Sequence, residues 1–189
     1  MPGSHKLPFG IFPPSSQSPV DAGEVSSRLM EALNNAIKAR DVPAIKALFH
    51  DNSYWRDHLC LSWDLRTFKG SDKISDFVAN SITNLNSLDI DWSSDLRSPK
   101  QGPIDGLYGP ASEVSGIEFF VKVSTDVGSG RGVVKLAEVE GQWKFFTVFT
   151  TLKGIEEPRG KHLRSAPQWS CARGAYWAAE LARQTQCLA

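Results

Sequence analysis

Cysteine is scarce in this chain of 189 residues: only Cys60, Cys171 and Cys187. Three is an odd number and the spacing fits no zinc pattern, so neither a disulfide framework nor a structural metal is expected, and reduced thiols in a cytoplasmic protein are. Net charge is also missing. The 21 basic and 21 acidic side chains cancel, unlike a domain built to neutralise nucleic-acid phosphates. No block of like charge suggests a membrane-surface helix. No apolar run reaches the length of a membrane span. The first twenty residues lack a basic start followed by an apolar stretch, so no signal peptide is expected. No internal repeat is present.

What remains is ordinary globular composition, 41% hydrophobic and 22% charged, in a chain long enough to bury a core unaided. Residues 1–20 carry Pro2, Pro8, Pro13, Pro14 and Pro19 among serines and read as a flexible arm. Residues 21–155 read as one domain, and 156–189 as a connector followed by a C-terminal helix that packs on it.

Within the domain, Val25, Leu29, Leu33 and Ile37 predict a first helix over Asp21 to Arg40. Asp41 caps a short second helix with Pro43 in its first turn, ending in a turn at His50-Asp51-Asn52. Ser53 to Leu61 and Ser62 to Lys69 read as extended. Ser71 opens a third helix with Ile74, Phe77, Val78 and Ile82 on one face. Leu88 to Asp95 alternates, with Leu88, Ile90 and Trp92 inward and Asp89 and Asp91 outward. Ser98 to Glu113 is a breaker-rich loop carrying Tyr108. Three strands follow: Val114 to Thr125, Gly132 to Glu138 and Gln142 to Leu152, with turns at Gly128-Ser129-Gly130 and Glu140-Gly141. The cluster Gly128-Ser-Gly-Arg-Gly132 lies between strands, where a phosphate loop needs a strand and then a helix. This order gives an α+β class rather than alternating βαβ units: a cone-shaped, curved antiparallel sheet wrapped around helices and one apolar pocket.

That order of elements is similar to the nuclear transport factor two-like superfamily, which includes SnoaL-like polyketide cyclases, ketosteroid isomerase, scytalone dehydratase and limonene epoxide hydrolase. The strings Ser53-Tyr-Trp-Arg-Asp57, Ser62-Trp-Asp-Leu-Arg-Thr-Phe-Lys-Gly70 and Gly141-Gln-Trp-Lys-Phe-Phe-Thr-Val-Phe-Thr-Thr-Leu152 resemble the N-terminal domain that precedes the flavin domain in a group of flavin-dependent monooxygenases. The resemblance runs from about Asp21 to Trp169. No dinucleotide fold follows here, so flavin and nicotinamide are not carried over, and no cofactor or metal is expected.

By position after helix two, Asp57 resembles the general base of ketosteroid isomerase. A carboxylate losing solvation in an apolar cone becomes a usable base. His58 could shuttle the proton, and Arg66 could stabilise an oxyanion. Asp57, Asp64 and Arg66 supply the residue types used by limonene epoxide hydrolase. Glu118, an acid in an apolar strand, is a second candidate acid, although it shares a face with Lys122. Tyr54, Trp55, Trp63, Asp64, Tyr108 and Trp143 are candidate substrate contacts. Alternation separates Trp55 and Asp57 from Tyr54, Arg56 and His58, and Asp57–Arg66 or Asp64–Arg56 could equally be structural ion pairs. Two functions are therefore expected to compete. One is a cofactor-independent isomerase, cyclase, dehydratase or epoxide-opening enzyme of secondary metabolism, acting on a polycyclic or polyketide-like molecule. The other is a non-catalytic module that binds a small molecule or pairs with a protein. The apolar last strand suggests a homodimer.

Overall fold

The computed structural model describes residues 18–81, 85–103 and 115–155; the predicted arm up to residue 17, Ile82, Tyr108, and the connector and C-terminal helix lie outside them. The described residues form three helices and a seven-stranded sheet.

Helix α1 spans Ala22–Ala39. The Asp21 carboxylate caps it by accepting from the Glu24 amide at 3.0 Å, and Arg40 ends it in the left-handed conformation, φ 55°. Its stripe Leu29, Met30, Leu33, Ala36 and Ile37 is buried. Helix α2, Val42–Leu48, is capped in the same way by Asp41, which accepts from the Ala44 amide. Strand β1, Phe49–His58, starts immediately. The turn expected at His50-Asp51-Asn52 is therefore strand. Phe49 is seated on Phe145, rings 5.1 Å apart, and this long-range contact overrides local turn preference. A register shift between Phe49 and Tyr54 accommodates the turn-forming residues.

Strand β2, Leu65–Lys69, folds back antiparallel on β1. Gly70, at φ 92°, turns the chain into helix α3, Ser71–Ser81, whose Ile74, Phe77 and Val78 are buried. The remaining strands are β3 (Leu85–Ile90), β4 (Lys100–Pro103), β5 (Ser115–Thr125), β6 (Gly128–Val139) and β7 (Gln142–Ile155). The sheet order is β2-β1-β7-β6-β5-β3, with β4 also on β5. The sheet is mixed rather than wholly antiparallel, because β1 runs parallel to β7.

Two local expectations change. Strand β3 stops at Ile90, and Phe120 then bonds to the following loop on both sides, accepting from the Asp91 amide and donating to the Arg97 carbonyl. Alternation breaks there, so Asp91 is buried and Trp92 is 57% exposed. The turn before β6 is Asp126–Val127, and Gly128, Gly130 and Gly132 lie in the strand itself. Their reason is proximity: a Cβ on Gly130 would stand 2.6 Å from Cys60 Sγ and 2.7 Å from the Thr151 carbonyl.

One face of the sheet meets the helices. Trp55, Phe119, Val121, Val134, Leu136, Phe145 and Val148 fill that space together with Leu33, Ile45, Ile74 and Val78. The end of the arm is tied down: Gln101 donates to the Ser18 carbonyl at 2.8 Å and accepts from the Val20 amide at 2.9 Å. No described helix is long and apolar enough to cross a membrane.

Candidate functional site

Strand alternation sends Ser53, Trp55 and Asp57 inward and Arg56 outward. Asp57 is fully buried. Its oxygens accept from the Leu61 amide (3.1 and 3.2 Å), the Ser62 amide (3.1 Å), the Ser62 hydroxyl (3.1 Å) and the Thr150 hydroxyl (2.6 Å). Thr150 in turn accepts from Trp55 Nε1 at 3.1 Å. A carboxylate offers about four acceptor sites, and these donors occupy them. The arrangement holds the loop after β1, where Leu59 adopts φ 61°, a costly angle for leucine. Within the loop, burial pushes the Cys60 thiol up to about 12, and the nearby Asp57 charge adds to the shift.

The other expected catalytic side chains do not join Asp57. His58 lies on the opposite face of the sheet, edge-on to Phe149 at 4.9 Å. Arg66 is the register partner of Asp57, yet its Nε turns to Asp64 Oδ2 at 3.1 Å, an exposed pair. Neither alternative ion pair read from the sequence, Asp57–Arg66 or Asp64–Arg56, is the one formed. Glu118 also faces outward, bonded to Lys135 at 2.8 Å, in keeping with the face it shares with Lys122. Of the expected substrate contacts, Trp55 is core and Trp143 packs partly buried against it. Tyr54 lies outside with Lys69 over its ring at 5.6 Å, and Trp63 is 69% exposed. His50 Nδ1 accepts from the Asn52 amide, and among the described residues no three His, Cys, Asp or Glu side chains cluster.

Sequence reasoning missed the parts played by Thr150 and Ser62 and the side chains that α3 lends to a cleft. Thr150 was findable, since alternation along β7 places it inward beside Val148, a polar residue on an apolar face. Helix α3 and β2 enclose a cleft of about 380 Å³, at the small end of ligand-pocket sizes. Its floor is Phe68 and Phe77, stacked at 4.2 Å. Arg66, Lys73, Asp76 and Asn80 line it, and Ser62 joins it to Asp57. Phe77 also meets Trp55 edge-on at 6.2 Å. The cleft is therefore the outer end of the buried Trp55–Thr150–Asp57 chain.

The described residues form an α+β fold, three helices against a seven-stranded mixed sheet. No family model matches the chain, and no curated protein matches it. Solved structures do. A candidate aromatic ring hydroxylase from Novosphingobium aromaticivorans is similar at 16% identity and a TM-score of 0.47, over 74% of this chain and 95% of that one. A candidate scytalone dehydratase from the same organism is similar at 14% identity and a TM-score of 0.44, over 71% and 86%. An NTF2-like protein of unknown function from Pseudomonas putida is similar at 15% identity and a TM-score of 0.42, over 69% and 85%.

Proposed function

We propose that this chain binds a small, flat, apolar or polycyclic molecule in the cleft between α3 and β2, and does so without using Asp57 as a base. One observation supports this reading most strongly: every acceptor site of Asp57 is already taken by a donor of its own fold. A general base must reach the proton it removes, and this carboxylate is taken up by the loop it supports and by Thr150. Phe68 and Phe77 offer an aromatic floor for a ring system. Arg66, Lys73, Asp76 and Asn80 offer donors and acceptors for its polar substituents. The reading requires no cofactor. It favours the binding alternative over the isomerase or cyclase one.

The test is a tryptophan-fluorescence titration with a neutral flat phenol, 1-naphthol. Saturable quenching is expected, weakened roughly tenfold in Phe68→Ala, the scale of one lost aromatic contact. Quenching equal in Phe68→Ala and wild type would remove the cleft as the site. Conversion of a polycyclic substrate that disappeared in a folded Asp57→Asn protein would restore the enzyme reading.

A further inference from the structure

The outer face of the sheet, away from the helices, is ordered by register into rows. One row runs Phe120, Val133, Phe149 across β5, β6 and β7. The next runs Lys122, Arg131, Thr151 and, on β1, His58. On the other side lie Glu118, Lys135 and Thr147. The result is an apolar strip one residue wide, fenced by charged side chains.

Over this strip sits a groove of about 480 Å³, floored by Phe120, Val133 and Phe149 and flanked by Asp91, Arg97 and Arg131. Its wall is fixed in place. The two backbone bonds to Phe120, at 2.8 and 2.9 Å, lock the Asp91–Arg97 loop onto β5. Asp91 is buried and already neutralised: Arg97 Nη1 lies 2.9 Å from one oxygen and Lys122 Nζ 3.1 Å from the other. Asp89, opposite Lys122, accepts from the Ser87 hydroxyl instead. Arg131 is exposed and makes no ion pair with any described residue. The groove therefore combines a flat aromatic floor, a guanidinium held by a buried carboxylate and a second guanidinium with no ion-pair partner among the described residues.

We propose that this groove is a second binding site, for a flat aromatic carboxylate whose ring lies on Phe120, Val133 and Phe149 and whose anion is held by Arg131 beside Arg97. Guanidinium forks match carboxylate geometry, and the floor contributes apolar contact to the ring. The volume suits one or two fused rings rather than a chain. A dry protein interface buries about 800 Å² on each partner, for which a fenced strip this narrow is a poor core. The site shares no residue with the cleft between α3 and β2, so the two proposals stand or fall separately.

The experiment is calorimetric titration of the full chain with 2-naphthoate at low salt, with 2-naphthalenemethanol as the uncharged control. Saturable naphthoate binding is expected, with the alcohol at least tenfold weaker. Arg131→Gln should weaken naphthoate roughly tenfold, the scale of one lost charge-assisted contact, and leave the alcohol unchanged. Its melting temperature should match wild type, since Arg131 is exposed. Lys73→Gln, in the other cleft, should leave naphthoate binding intact. Equal naphthoate affinity in Arg131→Gln and wild type would overturn the proposal. So would absent binding together with a dimer by light scattering that Phe149→Asp dissolves, because a second copy would then occupy the groove.

Discussion

A buried carboxylate must find donors or stay neutral, and Asp57 finds them in the loop that follows it and in Thr150. Alternation within Tyr54-Trp55-Arg56-Asp57-His58 was enough to put Asp57 and His58 on opposite faces. It could not show that the loop amides curl back onto the carboxylate, because that depends on the path of residues 59–64 in three dimensions. Cys60 tests the same corner. With its thiol pushed up by burial, it should resist iodoacetamide at pH 8 in the native protein and react once urea unfolds it; mass mapping of the peptide containing Cys60 reads both states, and prompt native labelling would contradict the burial. Asp91 tests the outer wall. The Ser93 hydroxyl, then Arg97 and Lys122, hold its carboxyl well below the usual range despite its burial. A folded-state pKa below the unfolded one gives stability that is present above about pH 4 and lost as pH falls toward the folded value. Acid titration of the melting temperature should therefore fall more gently below pH 4 in Asp91→Asn than in wild type; parallel curves would remove the Asp91 contribution.

Among the elements, α1, α2 and α3 were legible because each has a polar cap or turn residue followed by an apolar stripe of helical period. Strand β1 was legible only from Ser53 onward, since its start is set by Phe49 pairing with Phe145 of β7, more than ninety residues away. The break at Asp91 was hidden for a similar reason: Phe120 sets it from another strand. The glycines of β6 looked like a turn, because a glycine required by a close neighbour and one required by a turn look alike in one sequence. Gly130→Ala separates the two readings. The Thr151 carbonyl and Cys60 Sγ leave no room for a methyl group, so overpacking should cost about 1–3 kcal/mol, seen as a lower midpoint in urea with unchanged slope. An alanine variant as stable as wild type would mean that β6 and β7 are further apart than described.

At the scale of the molecule, the α+β class and the wrapped sheet followed from element order alone, while the parallel β1–β7 pair did not, since nothing local marks two distant strands as neighbours. Filling of the cone was also invisible: Trp55, expected to contact substrate, is part of the core itself, together with Phe119 and Phe145. The recesses proposed as binding sites lie between α3 and β2 and on the outer face of the sheet. On this account Asp57 carries structure and the cleft beside it carries function. Asp57→Asn removes an acceptor while keeping the size. Two of its donors would then lack a partner, at a cost of about 2–3 kcal/mol, or roughly 5–10 °C in melting temperature for a domain of this size. The most direct measurement is melting temperature and 1-naphthol affinity on one preparation of Asp57→Asn. A melting temperature lower by that amount, with affinity within about threefold of wild type once folded, is the predicted result; an unchanged melting temperature with lost turnover of a polycyclic substrate would contradict it.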